Sequence, residues 1–107
     1  MNEFAYGGEW DVDPESATAG KDATVSLAFQ ARRVFLVLGS PGRPRRLKVL
    51  LDGRPITDDL AGDDVRGGTA TIEGQRLYRL VDLPEAGRHE LELQFEPGIV
   101  GYAFTFG

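Results

Sequence analysis

Flat aromatic side chains are the residues of this sequence that best suit a binding function, since sugar rings stack on such surfaces with polar groups around them. The candidates are Tyr6, Trp10, Tyr78 and Tyr102. Tyr6, Trp10 and Tyr102 share the strand parity of neighbouring phenylalanines, which favours packing in the core or at its rim with each phenol or indole group hydrogen-bonded. Tyr78 lies between two arginines on a strand with less clearly sorted faces, so a core and a surface position both stay open.

Guanidinium groups are the second type of side chain that could hold such a ligand, because their forked donors suit carboxylates and acidic sugars. The candidate ligand-binding residues are therefore Trp10, Arg32, Arg76 and Tyr78, which combine aromatic surfaces with hydrogen-bond donors. The densest basic segments contain Arg43, Arg45 and Arg46, with Arg32 and Arg33 earlier in the chain. The alternative for these arginines is a solvated loop that protects a sheet edge from pairing with another molecule.

The sequence predicts no catalytic residue. His89 is its one histidine and begins an apolar strand face, which indicates a partly buried position at the sheet rim rather than a general base or a pH switch. A nucleophilic triad would need a serine beside it, and Ser16, Ser26 and Ser40 lie in no Gly-x-Ser-x-Gly elbow. We therefore expect a domain that is not an enzyme.

Acidic residues are numerous, but their spacing predicts neither a glycosidase pair nor a metal site. Asp58, Asp59, Asp63 and Asp64 fall in one loop, while Glu90, Glu92 and Glu96 line a strand face that is typical of solvated surface. The aspartate loop has the hard oxygen ligands that Ca²⁺ prefers, yet its spacing does not fit Asp-x-Asp-x-Asp-Gly. No cofactor and no metal are expected, with calcium in this loop as the alternative.

The composition indicates one folded domain and excludes several classes of function. The chain has 107 residues, 41% of them hydrophobic and 27% charged, and it has no cysteine, which excludes disulfides and thiol chemistry by this chain. A formal net charge of −5 weighs against nucleic acid, because binding there depends on cationic groups that neutralise phosphates. The longest apolar run, Val34 to Leu38, is too short to cross a bilayer, so we expect no membrane insertion.

Alternation of apolar and polar residues predicts an all-β fold. It is clearest at residues 25–29, 47–51 and 89–95, whereas the run at 34–38 is apolar on both parities and predicts a central strand covered on both faces. Turns are predicted at Asp52-Gly53 and at Pro84-Glu85-Ala86-Gly87, and a long loop at 57–68. The spacing favours an antiparallel β-sandwich of immunoglobulin or jelly-roll type with about eight strands.

Several short phrases, in order along nearly the whole chain, carry a family resemblance. They are Gly8-Glu9-Trp10, Phe29-Gln30-Ala31-Arg32, Leu51-Asp52-Gly53, Gln75-Arg76-Leu77-Tyr78 and the terminal Tyr102-Ala103-Phe104-Thr105-Phe106-Gly107. Together they resemble the C-terminal domain of DipZ-type proteins, which fuse a CcdA-like membrane segment to a thioredoxin-like domain in thiol-disulfide chemistry and cytochrome c biogenesis. In that family the terminal domain is a β-sandwich that looks like a carbohydrate-binding module.

The resemblance implies a single domain over residues 1–107, excised from the C-terminus of a longer membrane-anchored protein and located outside the cytoplasmic membrane. Because this chain lacks a Cys-x-x-Cys motif, any redox activity would belong to a neighbouring thioredoxin-like domain. The implied partners are a carbohydrate, such as a cell-wall glycan, and that neighbouring domain. The alternative function is a docking module that positions the thioredoxin-like domain or its client protein.

Overall fold

The computed structural model describes residues 3–107, which form ten antiparallel strands and contain no helix. The strands are β1 (Glu3–Gly7), β2 (Trp10–Val12), β3 (Ala17–Ala19), β4 (Thr24–Gly39), β5 (Arg45–Leu51), β6 (Arg54–Pro55), β7 (Val65–Arg66), β8 (Thr69–Ile72), β9 (Arg76–Phe95) and β10 (Val100–Phe106). Their order is β2-β3-β10-β4-β9-β5-β8-β7, with β1 also on β4 and β6 also on β5. The prediction of an all-β antiparallel fold is confirmed, with ten strands instead of about eight.

Two long strands, β4 with 16 residues and β9 with 20, belong to both halves of the fold. Residues 24–31 of β4 pair with residues 87–94 of β9 and with β1, and we call this half, together with β5 to β8, the front sheet. Residues 34–39 of β4 pair with β10, and 34–38 with residues 76–81 of β9; with β2 and β3 this half is the back sheet. One continuous hydrogen-bonded ladder therefore supplies both layers.

A shift in register, rather than a turn, separates the two halves. Ala31 pairs with Gly87 and Arg33 pairs with Asp82, so four residues of β9 (83–86) lie opposite the single residue Arg32 of β4. The Nε of Arg32 donates to the carbonyl of Leu83 at 2.8 Å and ties the irregular segment to β4. The predicted turn at residues 84–87 is therefore wrong, because β9 continues through these residues. Pro84 is tolerated in the strand since it lies where the pairing with β4 is interrupted.

The irregular segment also reverses which parity of β4 faces inward. Val25, Leu27 and Phe29 are buried before it, while Val34, Leu36 and Leu38 are buried after it. Both sets belong to one hydrophobic cluster, and the smallest dimension of the molecule is 21 Å, as expected of two sheets packed about 10 Å apart. The remaining members of the run at 34–38, Phe35 and Val37, are only half-buried, so the predicted burial of both faces was wrong.

Candidate functional site

An open edge of the sandwich brings aromatic residues from both ends of the chain together. Because β9 occupies one side of β4, β1 and β10 must both pair on its other side, β1 in the front sheet and β10 in the back sheet. The inward faces of the two sheets line a groove of about 400 Å³ at this edge. We call it the aromatic groove, and its aromatic residues are Phe4, Tyr6, Trp10, Phe95, Tyr102, Phe104 and Phe106.

Ring contacts inside the aromatic groove join the two sheets. Phe4 of β1 lies 5.2 Å from Phe104 of β10, measured between ring centroids, and Phe104 stacks on Phe106 at 6.2 Å. Trp10 makes edge-to-face contacts with Tyr6 at 5.8 Å and with Phe95 at 5.0 Å. These distances fall in the range in which aromatic pairs attract one another, so the rings support each other's positions.

Exposure separates the rings that could meet a ligand from those that support them. Tyr6 is 67% exposed and Tyr102 38% exposed, so of the two predicted positions, the core or its rim, the core is excluded for both. Tyr102 sits at the register shift of β10 between Gly101 and Ala103, where the ladder to β4 is interrupted. Trp10 is half-buried and its indole N–H donates to the carbonyl of Gly7 at 2.9 Å, in agreement with the expected core-rim position. The groove thus combines exposed rings with one that is held in place.

The rim of the aromatic groove is formed by the turn between β2 and β3. The backbone N–H of Asp13 donates to the carbonyl of Ser16 at 2.8 Å, which closes this turn. Its exposed carboxylates, Asp13 and Glu15, are the charged side chains that line the groove. Polar groups that accept hydrogen bonds therefore stand beside aromatic surfaces, an arrangement typical of ligand sites.

Tyr78 lies in the core and cannot serve as a stacking surface. It is 1% exposed, and its hydroxyl accepts from the N–H of Glu73 at 2.9 Å and donates to the carbonyl of Gly74 at 2.8 Å. The guanidinium of Arg76 covers its ring at 3.9 Å from the ring centroid. The surface position left open by the sequence is therefore excluded for Tyr78, because burial and Arg76 cover the ring.

The candidate arginines are held by protein partners outside the aromatic groove. Arg76 makes a two-pronged contact with Asp64 at 2.8 and 3.2 Å. This hydrogen bonding lowers the pKa of the Asp64 carboxyl, and the Asp64 carboxylate in turn raises the pKa of Arg76. Arg32 is used in the irregular segment of β4 and β9, and neither arginine lines the groove. Of the four predicted ligand-binding residues, only Trp10 lies there.

The other candidate groups have structural partners. His89 is half-buried, as expected, and its Nδ1 lies 2.6 Å from a carboxylate oxygen of Asp52, whose other oxygen accepts from the N–H of Glu90. The Glu90 hydrogen bond, followed by the one from His89, lowers the pKa of Asp52. In the aspartate loop, Asp58 accepts from the N–H of Gly67. Residues 3–107 contain no cluster of three or more His, Asp or Glu side chains arranged to hold a metal ion.

The segment of residues 43–46, which we call the basic loop, is bound to Glu96 at the end of β9. Arg43 pairs with Glu96 at 2.7 Å, and the second carboxylate oxygen of Glu96 accepts from the N–H of Arg46 at 2.9 Å. These two contacts, the N–H of Arg46 foremost, lower the pKa of Glu96. Arg45 donates to the hydroxyl of Ser40 and to the carbonyl of Pro41. This loop therefore uses its arginines in contacts within the fold.

Sequence reasoning missed Phe4, Phe104 and Phe106 as members of a site. A usable signal was present, because six of the ten aromatic residues fall within residues 4–10 and 102–106, with one parity in each segment. Parity alone assigns both segments to an inward face. It does not show that the two inward faces meet at an edge that no further strand closes.

Comparisons with known proteins place the fold. A family model described as "Thioredoxin like C-terminal domain" matches residues 1–107. The chain is 31% identical over 107 residues to the protein DipZ of Mycobacterium bovis, and equally to that of Mycobacterium tuberculosis. In both cases the match covers 99% of this chain and 13% of the relative, so this chain spans about an eighth of their length.

Solved structures with the same fold include two family two carbohydrate esterases. The enzyme from Clostridium thermocellum, determined in complex with cellohexaose, superposes with a TM-score of 0.75 and 22% identity over 98% of this chain and 31% of the esterase. The enzyme from Cellvibrio japonicus gives a TM-score of 0.74 and 16% identity over 97% of this chain and 33% of the esterase. At these identities the likeness concerns the fold. No helix in residues 3–107 could span a membrane.

Proposed function

The chain belongs to the family of thioredoxin-like C-terminal domains, and from this premise we propose that it is a non-catalytic accessory domain that binds a carbohydrate in the aromatic groove. The observation that carries the proposal is the exposure of Tyr6 and Tyr102 beside a fixed Trp10. In a domain whose other large apolar side chains are mostly buried, exposed aromatic rings in a concave edge mark a binding site.

The ring arrangement fits sugar recognition in particular. The apolar C–H faces of a pyranose can lie on Tyr6 or Tyr102, while its hydroxyls donate to the carboxylates of Asp13 and Glu15 on the rim. Trp10 is held by its indole hydrogen bond and by contacts with Tyr6 and Phe95, so little conformational entropy is lost when a ligand contacts it. The shared fold with an esterase whose complex contains cellohexaose supports this class of ligand.

The proposed setting is a longer DipZ-like protein. The DipZ relatives are far longer than the matched segment. In such a longer protein this domain would form the C-terminal part. We place the domain, as residues 1–107, outside the cytoplasmic membrane. Because this chain has no cysteine, thiol-disulfide chemistry in such a protein would reside in the neighbouring thioredoxin-like domain. The role of this domain is then to hold that chemistry near a glycan.

Titration calorimetry with cellohexaose, together with Trp10 fluorescence, tests the proposal. Wild-type protein is expected to bind with a change in indole emission, and Tyr6→Ala and Trp10→Ala are each expected to weaken binding about 2- to 12-fold, the worth of one aromatic contact. Leu77→Ala, at a position that is 42% exposed on the outward face of the back sheet, is the matched control and should bind as wild type. Absence of heat and of an emission change at millimolar cellohexaose and chitohexaose would refute carbohydrate binding.

A second candidate function, docking onto the neighbouring thioredoxin-like domain, is favoured by a different surface. Phe35 and Val37 are half-buried on the outward face of β4, and Leu77 of β9, paired with Val37, is 42% exposed. We call these three residues the outer patch. Ion pairs of Arg33 with Asp82 and of Arg79 with Asp63 border it, so an apolar centre has a charged rim, as in protein interfaces.

We infer that the occupant of the outer patch is the thioredoxin-like domain of the same longer chain, since relatives carry most of their length outside the matched segment. Chemical-shift mapping with that domain added in trans should perturb Phe35, Val37 and Leu77, and Leu77→Glu should abolish the perturbation without changing glycan binding. Tyr6→Ala should instead weaken glycan binding and leave the perturbation of the outer patch unchanged. An unperturbed outer patch at millimolar partner would contradict docking.

A further inference from the structure

The aromatic groove has a charge asymmetry that bears on which sugars it can take. Its charged lining side chains, Asp13 and Glu15, are both anionic, and its lining contains no lysine or arginine. In the described part of the chain neither carboxylate forms an ion pair. Both side chains are exposed, so a ligand in the groove can contact them.

Three arginines of the described chain are bound to protein groups outside the groove. Arg76 is bound to Asp64, Arg32 to the carbonyl of Leu83, and Arg43 to Glu96. The chain as a whole carries a formal net charge of −5. A cleft lined by one sign of charge, with low-dielectric aromatic walls, concentrates ligands of the opposite sign and repels those of the same sign.

We propose that the aromatic groove selects amino sugars with a free, protonated amine over neutral sugars, and rejects uronic and other acidic sugars. This inference rests on the proposed carbohydrate-binding function. An ammonium group on a pyranose gains an ion pair with Asp13 or Glu15 and, over the face of Tyr6 or Trp10, a cation–π attraction. A carboxylated sugar would instead place like charges together with no guanidinium to compensate them.

Three hexasaccharides that differ in charge test the selectivity: cellohexaose, the glucosamine hexamer and a galacturonic acid hexamer, each titrated calorimetrically at pH 6. At 20 mM salt the glucosamine hexamer should bind about 2- to 30-fold more tightly than cellohexaose, the worth of two exposed ion pairs. At 500 mM salt the ratio should fall towards one, because exposed charges are then screened. The galacturonic acid hexamer should bind more weakly than cellohexaose.

The double variant Asp13→Asn/Glu15→Gln isolates the rim charges. It should lose the preference for the glucosamine hexamer. It should still bind cellohexaose, more weakly than wild type, because amide oxygens still accept hydrogen bonds from sugar hydroxyls but without the charge of a carboxylate. Asp59→Asn/Glu85→Gln removes the same number of charges at exposed positions outside the groove and should keep the preference. Thermal unfolding shows whether each variant remains folded, which is expected because the turn at residues 13–16 is closed by backbone groups.

The outcomes separate this inference from the function on which it rests. Equal binding of the glucosamine hexamer and cellohexaose at low salt, or a preference that survives Asp13→Asn/Glu15→Gln, overturns the selectivity and leaves carbohydrate binding standing. Binding of the glucosamine hexamer that Trp10→Ala leaves unchanged, with no binding of cellohexaose, reveals attraction to charge alone and overturns both. Loss of the preference in the rim variant, with cellohexaose binding retained, supports both.

Discussion

At the scale of single residues, two tyrosines have different roles because their hydroxyl groups have different surroundings. The hydroxyl of Tyr78 closes the turn between β8 and β9, since it bonds both the N–H of Glu73 and the carbonyl of Gly74. Tyr102 is exposed, and its hydroxyl makes no hydrogen bond with the described residues. The first tyrosine therefore contributes to stability and the second to the groove surface.

Tyr78→Phe removes the buried hydroxyl and leaves two backbone groups without their partner. We expect a loss of about 1–2 kcal/mol in the free energy of unfolding, because a buried donor or acceptor that loses its hydrogen bond keeps its desolvation cost. Urea unfolding followed by Trp10 fluorescence measures the change. Tyr102→Phe makes the same chemical change at an exposed site and should stay within 0.5 kcal/mol of wild type; equal effects of the two variants would contradict the assignment.

Residue burial could be predicted from the sequence where the alternation is regular. At 25–29, 47–51 and 91–95 the alternate apolar residues are all buried. Successive side chains of a strand point to opposite faces, so where one face is exposed to solvent the other set of residues faces the core. Parity failed for the exposure of Tyr6 and Tyr102, since an inward direction implies burial only where the opposite sheet covers the residue. That coverage depends on where β1 and β10 lie along β4, which is a long-range property.

At the scale of elements, the connection from β1 to β2 determines the shape of the aromatic groove. Gly8 has a φ of +71°, and a Cβ there would overlap the carbonyl oxygen of Asp22. The next residue, Glu9, donates its N–H to the carbonyl of Lys21 at 3.0 Å. The chain thus bends against the turn at residues 21–22, and this bend places Tyr6 and Trp10 in contact.

Three glycine-to-alanine variants separate backbone conformation from crowding at this bend. Gly8→Ala should be the most destabilising, by at least 1 kcal/mol more than Gly53→Ala, because Gly53 has a φ of +83° but open space around its α-carbon. Gly74→Ala has open space as well and no such φ, so it should change stability least. Denaturant midpoints give the ranking, and a Gly8→Ala variant as stable as Gly74→Ala would refute the crowding argument.

Sequence patterns predicted local connections better than long ones. The two-residue hairpin at Asp52-Gly53 is confirmed, with positive φ at both residues, since these residue types tolerate it. The sequence predicts separate apolar segments at residues 25–29 and 34–38 and a turn at residues 84–87. In the structure Arg32, which lies between the two segments, is opposite residues 83–86 of β9, and only this pairing shows that β4 and β9 each continue through the irregular segment.

At the scale of the whole molecule, carboxylates tie neighbouring segments together on three sides of the fold. Asp52 links the β5–β6 turn to β9, Asp64 links the aspartate loop to Arg76 at the start of β9, and Glu96 links the end of β9 to the basic loop. Each accepts hydrogen bonds as an anion, and the pKa of each is lowered in the folded state. The three carboxyls therefore stabilise the folded protein less as the pH falls.

Acid should destabilise the protein through these three carboxyls. Because their folded pKa values lie below those of the unfolded chain, the unfolded chain takes up protons first as the pH falls below roughly 4.5. The stabilisation is thus fully present above that pH and is lost as the pH falls through each folded pKa. Urea unfolding between pH 7 and pH 2.5 should show a falling midpoint for wild type and a flatter one for Asp52→Asn/Asp64→Asn/Glu96→Gln.

The single variants divide this effect among the three sites. Asp64→Asn is expected to cost about 1 kcal/mol at pH 7, where its partly exposed pair with Arg76 is screened by solvent, and progressively less as the pH falls. Asp59→Asn removes an exposed carboxylate of the same loop and should leave the pH profile parallel to that of wild type. A profile for Asp52→Asn/Asp64→Asn/Glu96→Gln as steep as that of wild type would show that the acid sensitivity arises from other groups.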